Sequence, residues 1–588
     1  MATKYIDVMD TTFRDGFLST YGTKVLSKDF LSVVEVAKDA GVSHFEVTSP
    51  SHFFGYTFNT QENIFDIIRG FREAAGDEAN LQILSRGISN LMQDVSTYEL
   101  TNLFADLMAN NEITTVRTYD ALNDIRNLDF IAEAVTQKYM LHEISISIME
   151  LPPGNRGSHN VSFYERKLRE ILDNGIPFDS VAFKDATGTT TPTKIYETVK
   201  MARNLLGDDI HISVHTHDSV GVGVPFYLAA LEAGANGIDL AMSPASRGNS
   251  QPDMLTMLHA VKGMGYNLGD LDINKLLKYK KALNEALDSY EKNARLKEVE
   301  QVAIFAPMPT NALNLHAKQL LDSGNIDMFE SIISEISEVM DKGGYATSIM
   351  PISQYYWQQA YANVKFGRWK KITQGFGKMV LGYLGRTPTA PDPDIFELAQ
   401  KELNLKPTSQ APIDIASEDY TKSLEFLEKI LEYETIDVTD ENIFILASSK
   451  ELGLKYLKNE LPKPKVEQKV VQKDKTNDNE TLKVVDTIEI KEPENLALAL
   501  DIKIDEESIK PKRNIHISGV EVRAKTSGKV FKITKKIGDI VQEGESVLII
   551  ENIKESIEIK STITGAIQAF NVNVGDSVTY GDLLFVVE

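Results

Sequence analysis

Two histidines, His215 and His217, directly follow the run Ile210 to Val214, which reads as a buried strand. Side chains at positions i and i+2 of a strand share one face, so both imidazoles would point the same way. Two neutral imidazoles on one face supply half of a divalent metal site. The alternative is a pair of hydrogen-bonded core histidines. The metal interpretation therefore depends on further ligands that the fold brings alongside.

The elements that would position this pair are repeated βα units. From Tyr5 to about Asp272, short β-rich runs alternate with amphipathic helical patterns, which predicts a parallel sheet. Eight strands within about 270 residues favour an α/β fold of the TIM (β/α)8 barrel type. The strands are expected near Ile6–Met9, His44–Val47, Leu81–Leu84, Thr114–Thr118, Glu143–Ile148, Ser180–Phe183, His211–Val214 and Gly237–Ala241.

Polar residues stand where these strands are predicted to end. A TIM barrel carries its chemistry at the C-terminal ends of its strands. The candidates at these ends are Asp15, Arg86, Asp120, Lys184, His215 and His217. For Arg86 the alternative interpretation is a surface salt bridge.

Beyond the barrel the composition changes twice. The section 273–461 loses the strand alternation, and its Lys- and Glu-rich faces predict a helical lobe packed on the barrel. Its aromatic stretch, Ile352 to Tyr361, is expected to be core. From 462 to 514 the chain is rich in Lys, Asp, Glu, Pro and Thr, which predicts a flexible linker because it buries too little apolar surface. The predicted domains are a barrel at 1–272, a lobe at 273–461, a linker at 462–514 and a β domain at 515–588.

The last domain contains an internal repeat. Gly528, Gly538 and Gly544 recur 37 residues later as Gly565, Gly575 and Gly581. Two similar halves with glycine turns predict a small pseudo-twofold β domain. Lys554 lies about halfway between Gly544 and Gly565, at the expected tip of a symmetric hairpin. Such a lysine is well presented for covalent attachment, and the alternative is one more surface lysine.

Composition excludes several classes of function. The 588 residues contain no cysteine, so disulfides, thiolate metal sites and cysteine nucleophiles are excluded together. The net charge of −23 argues against a nucleic-acid or anionic-membrane partner. No apolar run reaches the roughly 18 residues of a spanning helix, and Met1 to Asp7 contain no signal-peptide core. We expect a cytoplasmic protein.

These motifs resemble a known family, the biotin-dependent 2-oxo acid carboxylases and decarboxylases. That family includes a pyruvate carboxylase subunit and the alpha subunit of sodium-pumping oxaloacetate decarboxylase. The likeness covers nearly the whole chain, and the terminal domain is similar to a biotinyl domain. The motifs that carry it are Asp10 to Asp15, Ser85 to Gly87, Tyr119 to Asp124, Phe183 to Gly188, His215 to His217 and Ser250 to Pro252.

The resemblance implies a set of site residues. A metal, Zn or Mn, would be held by Asp15, Lys184 as a carbamate, His215 and His217. Arg86 would pair with the carboxylate of the 2-oxo acid by two parallel hydrogen bonds. Biotin on Lys554 would carry the carboxyl group to or from the enolate carbon. Arg14 and Asn249 would also stand at the reacting groups.

Three positions depart from the family pattern. Leu18 stands where the family usually has a glutamine that hydrogen-bonds substrate, and Asn249 replaces a threonine thought to relay a proton. Lys554 is preceded by Asn552 and Ile553 and followed by Glu555, where the family has Ala-Met-Lys-Met. These changes indicate a diverged paralogue.

Four functions therefore stand side by side. The first is a carboxyltransferase subunit that works with a separate biotin carboxylase subunit on pyruvate, oxaloacetate or 2-oxoglutarate. The second is the alpha subunit of a sodium-pumping oxaloacetate decarboxylase, whose partners would include membrane decarboxylase subunits. The third is a catalytically weak paralogue with an assembly or regulatory role, and the fourth is an acyl-CoA lyase or synthase on the same barrel. We expect a homo-oligomer in each case.

Overall fold

The computed structural model describes residues 3–91, 94–293, 301–462, 520–524, 528–551, 556–572, 574, 576–578 and 582–588. The chain forms two units, Met1–Gln472 and Lys473–Glu588, which are described separately. In the described part of the chain, every helix is too short or too polar to cross a bilayer.

The first unit is built on a closed barrel of eight parallel strands, as predicted. The strands follow one another around the barrel in chain order, and the first pairs with the last through Val8 and Ile238. They are β2 (Asp7–Asp10), β3 (His44–Thr48), β4 (Asn80–Ser85), β5 (Thr115–Tyr119), β6 (Leu141–Ser147), β7 (Ser180–Asp185), β8 (His211–Thr216) and β9 (Gly237–Leu240). Strands β1 (Lys4–Tyr5) and β10 (Tyr266–Asn267) form a separate two-stranded sheet. Lys184 and His215 are the next-to-last residues of β7 and β8. The sequence pattern predicted that both strands end just before these residues.

Ten helices connect and surround these strands. Helix α4 shows why they form: Asn63 caps its first turn by accepting from the amide of Phe65, and its apolar stripe, including Ile68 and Phe71, is buried. The helices are α1 (Phe17–Tyr21), α2 (Ser27–Asp39), α3 (Pro50–Gly55), α4 (Ile64–Ala75), α5 (Tyr98–Asn110), α6 (Asp129–Gln137), α7 (Val161–Asp173), α8 (Pro192–Leu206), α9 (Gly223–Ala233) and α10 (Met254–Ala260).

The helical section that follows divides between two hydrophobic cores. Side chains from both of its ends, such as Leu276 and Phe444, belong to the core of the barrel. The middle of the section, from Ala303 to Ala399, forms a second core. The helices are α11 (Ile273–Leu287), α12 (Thr310–Asp322), α13 (Phe329–Lys342), α14 (Ile352–Phe366), α15 (Gln374–Val380), α16 (Pro393–Leu403), α17 (Pro412–Ser417), α18 (Leu424–Tyr433) and α19 (Asp440–Leu457). The domain boundaries drawn from the sequence stay predictions.

The second core lies over the strand ends of the barrel. Leu84, Tyr119 and Met149, which come from or directly follow the barrel strands, share it with the lobe. Within it, the ring of Trp357 is stacked on that of His316 with centroids 4.6 Å apart. The aromatic stretch of α14 is therefore core packing, as the sequence indicated.

The described residues of the second unit, which begin at Val520, form two four-stranded sheets, as predicted for the terminal β domain. Three pairs of equivalent positions in the repeat are buried, namely Val530 with Ile567, Val541 with Val578, and Leu548 with Phe585. The sheets run β11-β18-β16-β13 and β15-β14-β12-β17, with β11 (Val520–Arg523), β12 (Gly528–Ile533), β13 (Ile540–Val541), β14 (Ser546–Glu551), β15 (Ser556–Lys560), β16 (Gly565–Phe570), β17 (Ser577–Val578) and β18 (Leu583–Val587). Lys554 follows β14 in the chain but lies outside the described residues, as does most of the predicted linker.

Candidate functional site

Four predicted metal ligands converge at the C-terminal end of the barrel. Asp15 lies in a π-helical turn, Thr12–Gly16, close behind β2, and all four side chains are buried. Nε2 of His217 is 3.1 Å from Oδ2 of Asp15, and Nε2 of His215 is 3.4 Å from the same oxygen. Nζ of Lys184 is 2.8 Å from Nε2 of His215. The structure thus brings together the side chains that the sequence placed on three strand ends.

The outer nitrogens of both histidines are engaged by hydrogen bonds. Nδ1 of His215 lies 2.8 Å from Oδ2 of Asp239, and Nδ1 of His217 lies 2.6 Å from the backbone carbonyl of Asn249. Both acceptors require a proton on Nδ1, which leaves the Nε2 lone pairs directed toward Asp15. This is the arrangement of metal-ligating histidines, in which the partner of Nδ1 fixes the tautomer. The residues therefore fit a divalent metal.

The charge states of the site agree with this assignment. Burial would raise the pKa of Asp15, but Arg14 and His217 outweigh it and hold that pKa well below its usual range. Burial and the charge of Lys184 hold the pKa of His215 well below its ordinary value, so the imidazole is neutral. The ionised carboxylate of Asp15 and the neutral imidazole of His215 are forms that bind metal.

Lys184 has the environment that a carbamate requires. Burial, reinforced by the charge of Arg14, lowers the pKa of Lys184 to about 8. A neutral amine is the form that adds to carbon dioxide, and the resulting carbamate is a carboxylate on a long stem. An ammonium has no lone pair for a metal. Lys184 therefore cannot join the ligand set as an ammonium, whereas its carbamate would supply a carboxylate-like oxygen.

A buried network of charged side chains lies around these ligands. Arg14 Nη2 contacts Oε2 of Glu46 at 2.5 Å and Oδ2 of Asp15 at 3.3 Å. Arg117 donates to Glu143 and to Asp239, the carboxylate that also holds His215. Arg117 and His215 outweigh the effect of burial and lower the pKa of Asp239, so its carboxylate remains charged.

Asp239 and Glu46 were not predicted from the sequence as site residues. Both carried a signal, since each is a charged residue inside an otherwise apolar strand, in Ile238-Asp239-Leu240 and in Phe45-Glu46-Val47. Nor was a role predicted for Gln251, whose Nε2 donates to Oδ2 of Asp15 at 2.9 Å.

Arg86 lies directly after β4 and is only 7% exposed. Its guanidinium donates to Oγ of Ser51 in α3 and also hydrogen-bonds the side chain of Tyr119. Its backbone amide donates to Oδ1 of Asn90 at 3.0 Å. The arginine is buried among the strand-end loops, so the surface salt bridge considered for it does not describe this side chain.

The remaining candidates have other contacts. Asn249 supplies its backbone carbonyl to His217, while its side chain accepts from Asn314 of α12 at 3.5 Å. Leu18 is half-buried in α1. The carboxylate of Asp120 accepts from the backbone amides of Leu122 and Asp124, both at 3.0 Å, and burial raises its pKa to about 7. Asp120 therefore shapes its own loop and is separate from the ligand set.

The barrel, the lobe and the converging ligands define a metal-dependent TIM-barrel enzyme. Its fold is that of the carboxyl transferase domain of Rhizobium etli pyruvate carboxylase, with a TM-score of 0.70, 20% identity and coverage of 79% of this chain and 80% of that one. Three family models match: the HMGL-like model at residues 170–281, the conserved carboxylase domain at 304–508 and the biotin-requiring enzyme domain at 520–587.

Similar sequences extend over nearly the whole chain. A pyruvate carboxylase subunit of Methanocaldococcus jannaschii is 28% identical, over 93% of this chain and 94% of its own length. The 2-oxoglutarate carboxylase large subunit of Hydrogenobacter thermophilus is 25% identical, over 95% and 91%. Over nearly its whole length the chain is therefore similar to 2-oxo acid carboxylases, and it matches a carboxylase domain and a biotin-requiring domain. Its biotin-requiring domain implies covalently bound biotin.

Proposed function

We propose that this chain is a metal-dependent carboxyltransferase subunit that moves a carboxyl group between biotin and a 2-oxo acid. The observation that carries the proposal is the ligand geometry. Two imidazoles, each fixed through Nδ1, direct Nε2 at one carboxylate beside a buried lysine. Nothing in the comparisons favours a membrane decarboxylase subunit, a weak paralogue or an acyl-CoA lyase over this function.

One group of residues would bind the metal and another would bind the substrate. Asp15, His215, His217 and carbamylated Lys184 would hold the metal. When bound, the metal supplies positive charge that stabilises an enolate oxygen. Gln251 fixes the orientation of Asp15 by donating to its carboxylate.

The substrate carboxylate would be bound by Arg86. Its planar guanidinium suits bidentate pairing with a carboxylate. Ser51 and Tyr119 hold that guanidinium, so less of its freedom remains to be lost on binding. Arg14 stands beside Asp15 and adds positive charge at the metal side of the pocket.

The lobe contacts the end of the barrel beside the ligands. Thr310 and Asn314, both in α12, contact Ser219 and Asn249 at the barrel end, at 3.3 and 3.5 Å. Lys554 would carry biotin through an amide bond, and biotin would supply or accept the carboxyl group. A separate biotin carboxylase subunit is the partner that this division implies, and we propose a homo-oligomeric, cytoplasmic enzyme.

One experiment tests the central claim. Carboxyl exchange between biotin and pyruvate, oxaloacetate or 2-oxoglutarate is measured with bound metal quantified in the same sample. We expect exchange with one of these acids at about one metal ion per chain. Metal-replete protein that exchanges with none of them would contradict the proposal.

Two companion measurements complete it. A streptavidin blot of the native protein, with Lys554→Arg as the control, tests the site of attachment. The double variant Leu18→Gln with Asn249→Thr, which restores the family residues, tests whether wild-type turnover is low. An increase of orders of magnitude would favour the weak paralogue instead.

A further inference from the structure

Helix α19 is interrupted at Lys450. This residue has φ 50° and ψ −128°, although the helix continues on both sides of it. A non-glycine residue in such a conformation is strained and persists only where its surroundings impose it. The side chain at this break reaches the loop after β4, where Nζ of Lys450 donates to Oδ2 of Asp94 at 3.0 Å.

A second lysine reaches the same carboxylate. Nζ of Lys422 donates to Oδ1 of Asp94 at 2.5 Å and to the backbone carbonyl of Val95 at 3.3 Å. Although burial opposes it, the charges of Lys450 and Lys422 lower the pKa of Asp94, so the carboxylate is ionised. Two segments that lie more than 300 residues later in the chain thus converge on one side chain.

Asp94 belongs to the loop that begins with Arg86. Within this loop, Asn90 accepts from the amide of Arg86 and from the hydroxyl of Ser85, both at 3.0 Å. The amide of Ser96 donates to the carbonyl of Ile88 at 2.7 Å. Ile88 and its neighbour across the loop, Val95, pack against residues of α17. These contacts connect the loop segment that contains Asp94 to the backbone of Arg86.

The same helix also supports the other side of the arginine. Phe444 of α19 is fully buried, and its ring centroid is 5.3 Å from that of Phe53 in α3. Helix α3 carries Ser51, whose hydroxyl accepts from Arg86. Helix α19 therefore contacts both elements that fix Arg86, namely its loop and its hydrogen-bond partner.

We propose that Asp94, Lys422 and Lys450 form a clamp that positions Arg86 for the carboxylate of the substrate. The clamp rests on the proposed function, since it acts through Arg86. Its members touch neither substrate nor metal, and they are positioning residues.

Kinetics of single variants test the clamp. We expect Asp94→Asn, Lys422→Met and Lys450→Met to raise KM for the 2-oxo acid about tenfold, because a displaced positioning contact acts on substrate placement. The metal content should be unchanged. The lost contact stabilises the bound substrate and the transition state equally, so kcat should stay within about twofold of the wild-type value. Lys450→Arg, which keeps the charge, should have the KM of the wild type, unlike Lys450→Met. Lys455→Met is the matched control, since Lys455 lies in the same helix but pairs only locally with Glu451 at 2.8 Å.

Lys450→Gly separates the clamp from a merely structural role. Glycine adopts this backbone conformation without strain, so the thermal midpoint should not fall. The ammonium is nevertheless lost, so KM should rise as in Lys450→Met. An unchanged KM in both variants would overturn the proposal.

Arg86→Lys, measured in parallel, distinguishes failure of the clamp from failure of the proposed function. If Arg86→Lys leaves KM unchanged, both fail. If it raises KM while the Asp94, Lys422 and Lys450 variants do not, the clamp alone fails. If all raise KM, the double variant Arg86→Lys with Asp94→Asn should be less than additive, and full additivity would refute transmission through Arg86.

Discussion

The proposed metal site and the proposed substrate site around Arg86 are built in different ways. The metal ligands stand on barrel strands or within a few residues of them, and their hydrogen-bond partners Asp239 and Asn249 come from β9 and the segment that follows it. Arg86 stands on a loop, and the contacts that hold the loop come from residues beyond 400. The first arrangement is local to the barrel, whereas the second requires the C-terminal helices.

This difference has a consequence for how each side responds to change. The ligand geometry is fixed by strand register and should survive alterations of the helical section. The orientation of Arg86 depends on contacts made across the surface of the barrel. Alterations of the helical section should therefore change the orientation of Arg86 more than the ligand geometry. We therefore expect metal affinity and substrate affinity to be separable by mutation.

The largest effect should come from His217→Ala. Removing an imidazole ligand should lower metal affinity by more than about 100-fold, about 2.7 kcal/mol, because loss of even an outer partner costs 10–100-fold. Titration with Zn or Mn measures it, and carboxyl exchange should be lost with the metal. The control is His259→Ala, an exposed histidine of α10. Equal affinities in the two variants would exclude this metal centre.

Removal of the metal should also lower the free energy of unfolding of the barrel. Saturation at 100 times the dissociation constant stabilises a folded protein by about 2.7 kcal/mol. A chelator should therefore lower the thermal midpoint of the wild type, and added metal should restore it. Arg86→Lys should show the same metal-dependent shift, since Arg86 is not a ligand. A shift that disappears in Arg86→Lys would mean that the two sides are not separable.

Asp239→Asn should have the next largest effect. The amide can still accept from Nδ1 of His215, but it lacks the negative charge that raises the basicity of the ligand and balances Arg117. Metal affinity should fall about 10–100-fold, which is about 1.4–2.7 kcal/mol. Asn249→Ala is the informative control, because His217 uses the backbone carbonyl there and metal affinity should change by less than about twofold. A large loss in Asn249→Ala would show that its side chain matters to the metal.

The barrel strands could be predicted from the sequence, whereas the surroundings of Arg86 could not. Strand alternation and residue spacing located all eight barrel strands and placed polar candidates at their ends. The choice of four metal ligands among these candidates came from the family resemblance. Asp239 was missed although it lies in a predicted strand, because its role depends on the strand beside it. The ends of β7 and β8 were predicted two residues too early, before Lys184 and His215, since polar residues at a strand end look like the start of a loop.

The surroundings of Arg86 could not be predicted in this way. Its position after a strand was evident, but Ser51, Asp94 and Lys450 are brought to it by packing of elements that are distant in sequence. Lysine is a good helix former, so Lys450 itself does not indicate a break, although Ser448 and Ser449 precede it and Gly453 follows it. Tertiary contacts override that preference, and only the structure shows them.

The smallest expected effect tests the substrate side directly. Ser51→Ala removes the hydroxyl that accepts from Arg86 but leaves α3 and its contact with Phe444 in place. KM for the 2-oxo acid should rise about fivefold, about 1 kcal/mol, which is the net value of one such hydrogen bond. Metal affinity should not change. Ser89→Ala, in the same loop as Arg86, is the control, and an equal rise of KM in both variants would show that the loop as a whole, and not the hydrogen bond to Ser51, sets the position of the arginine.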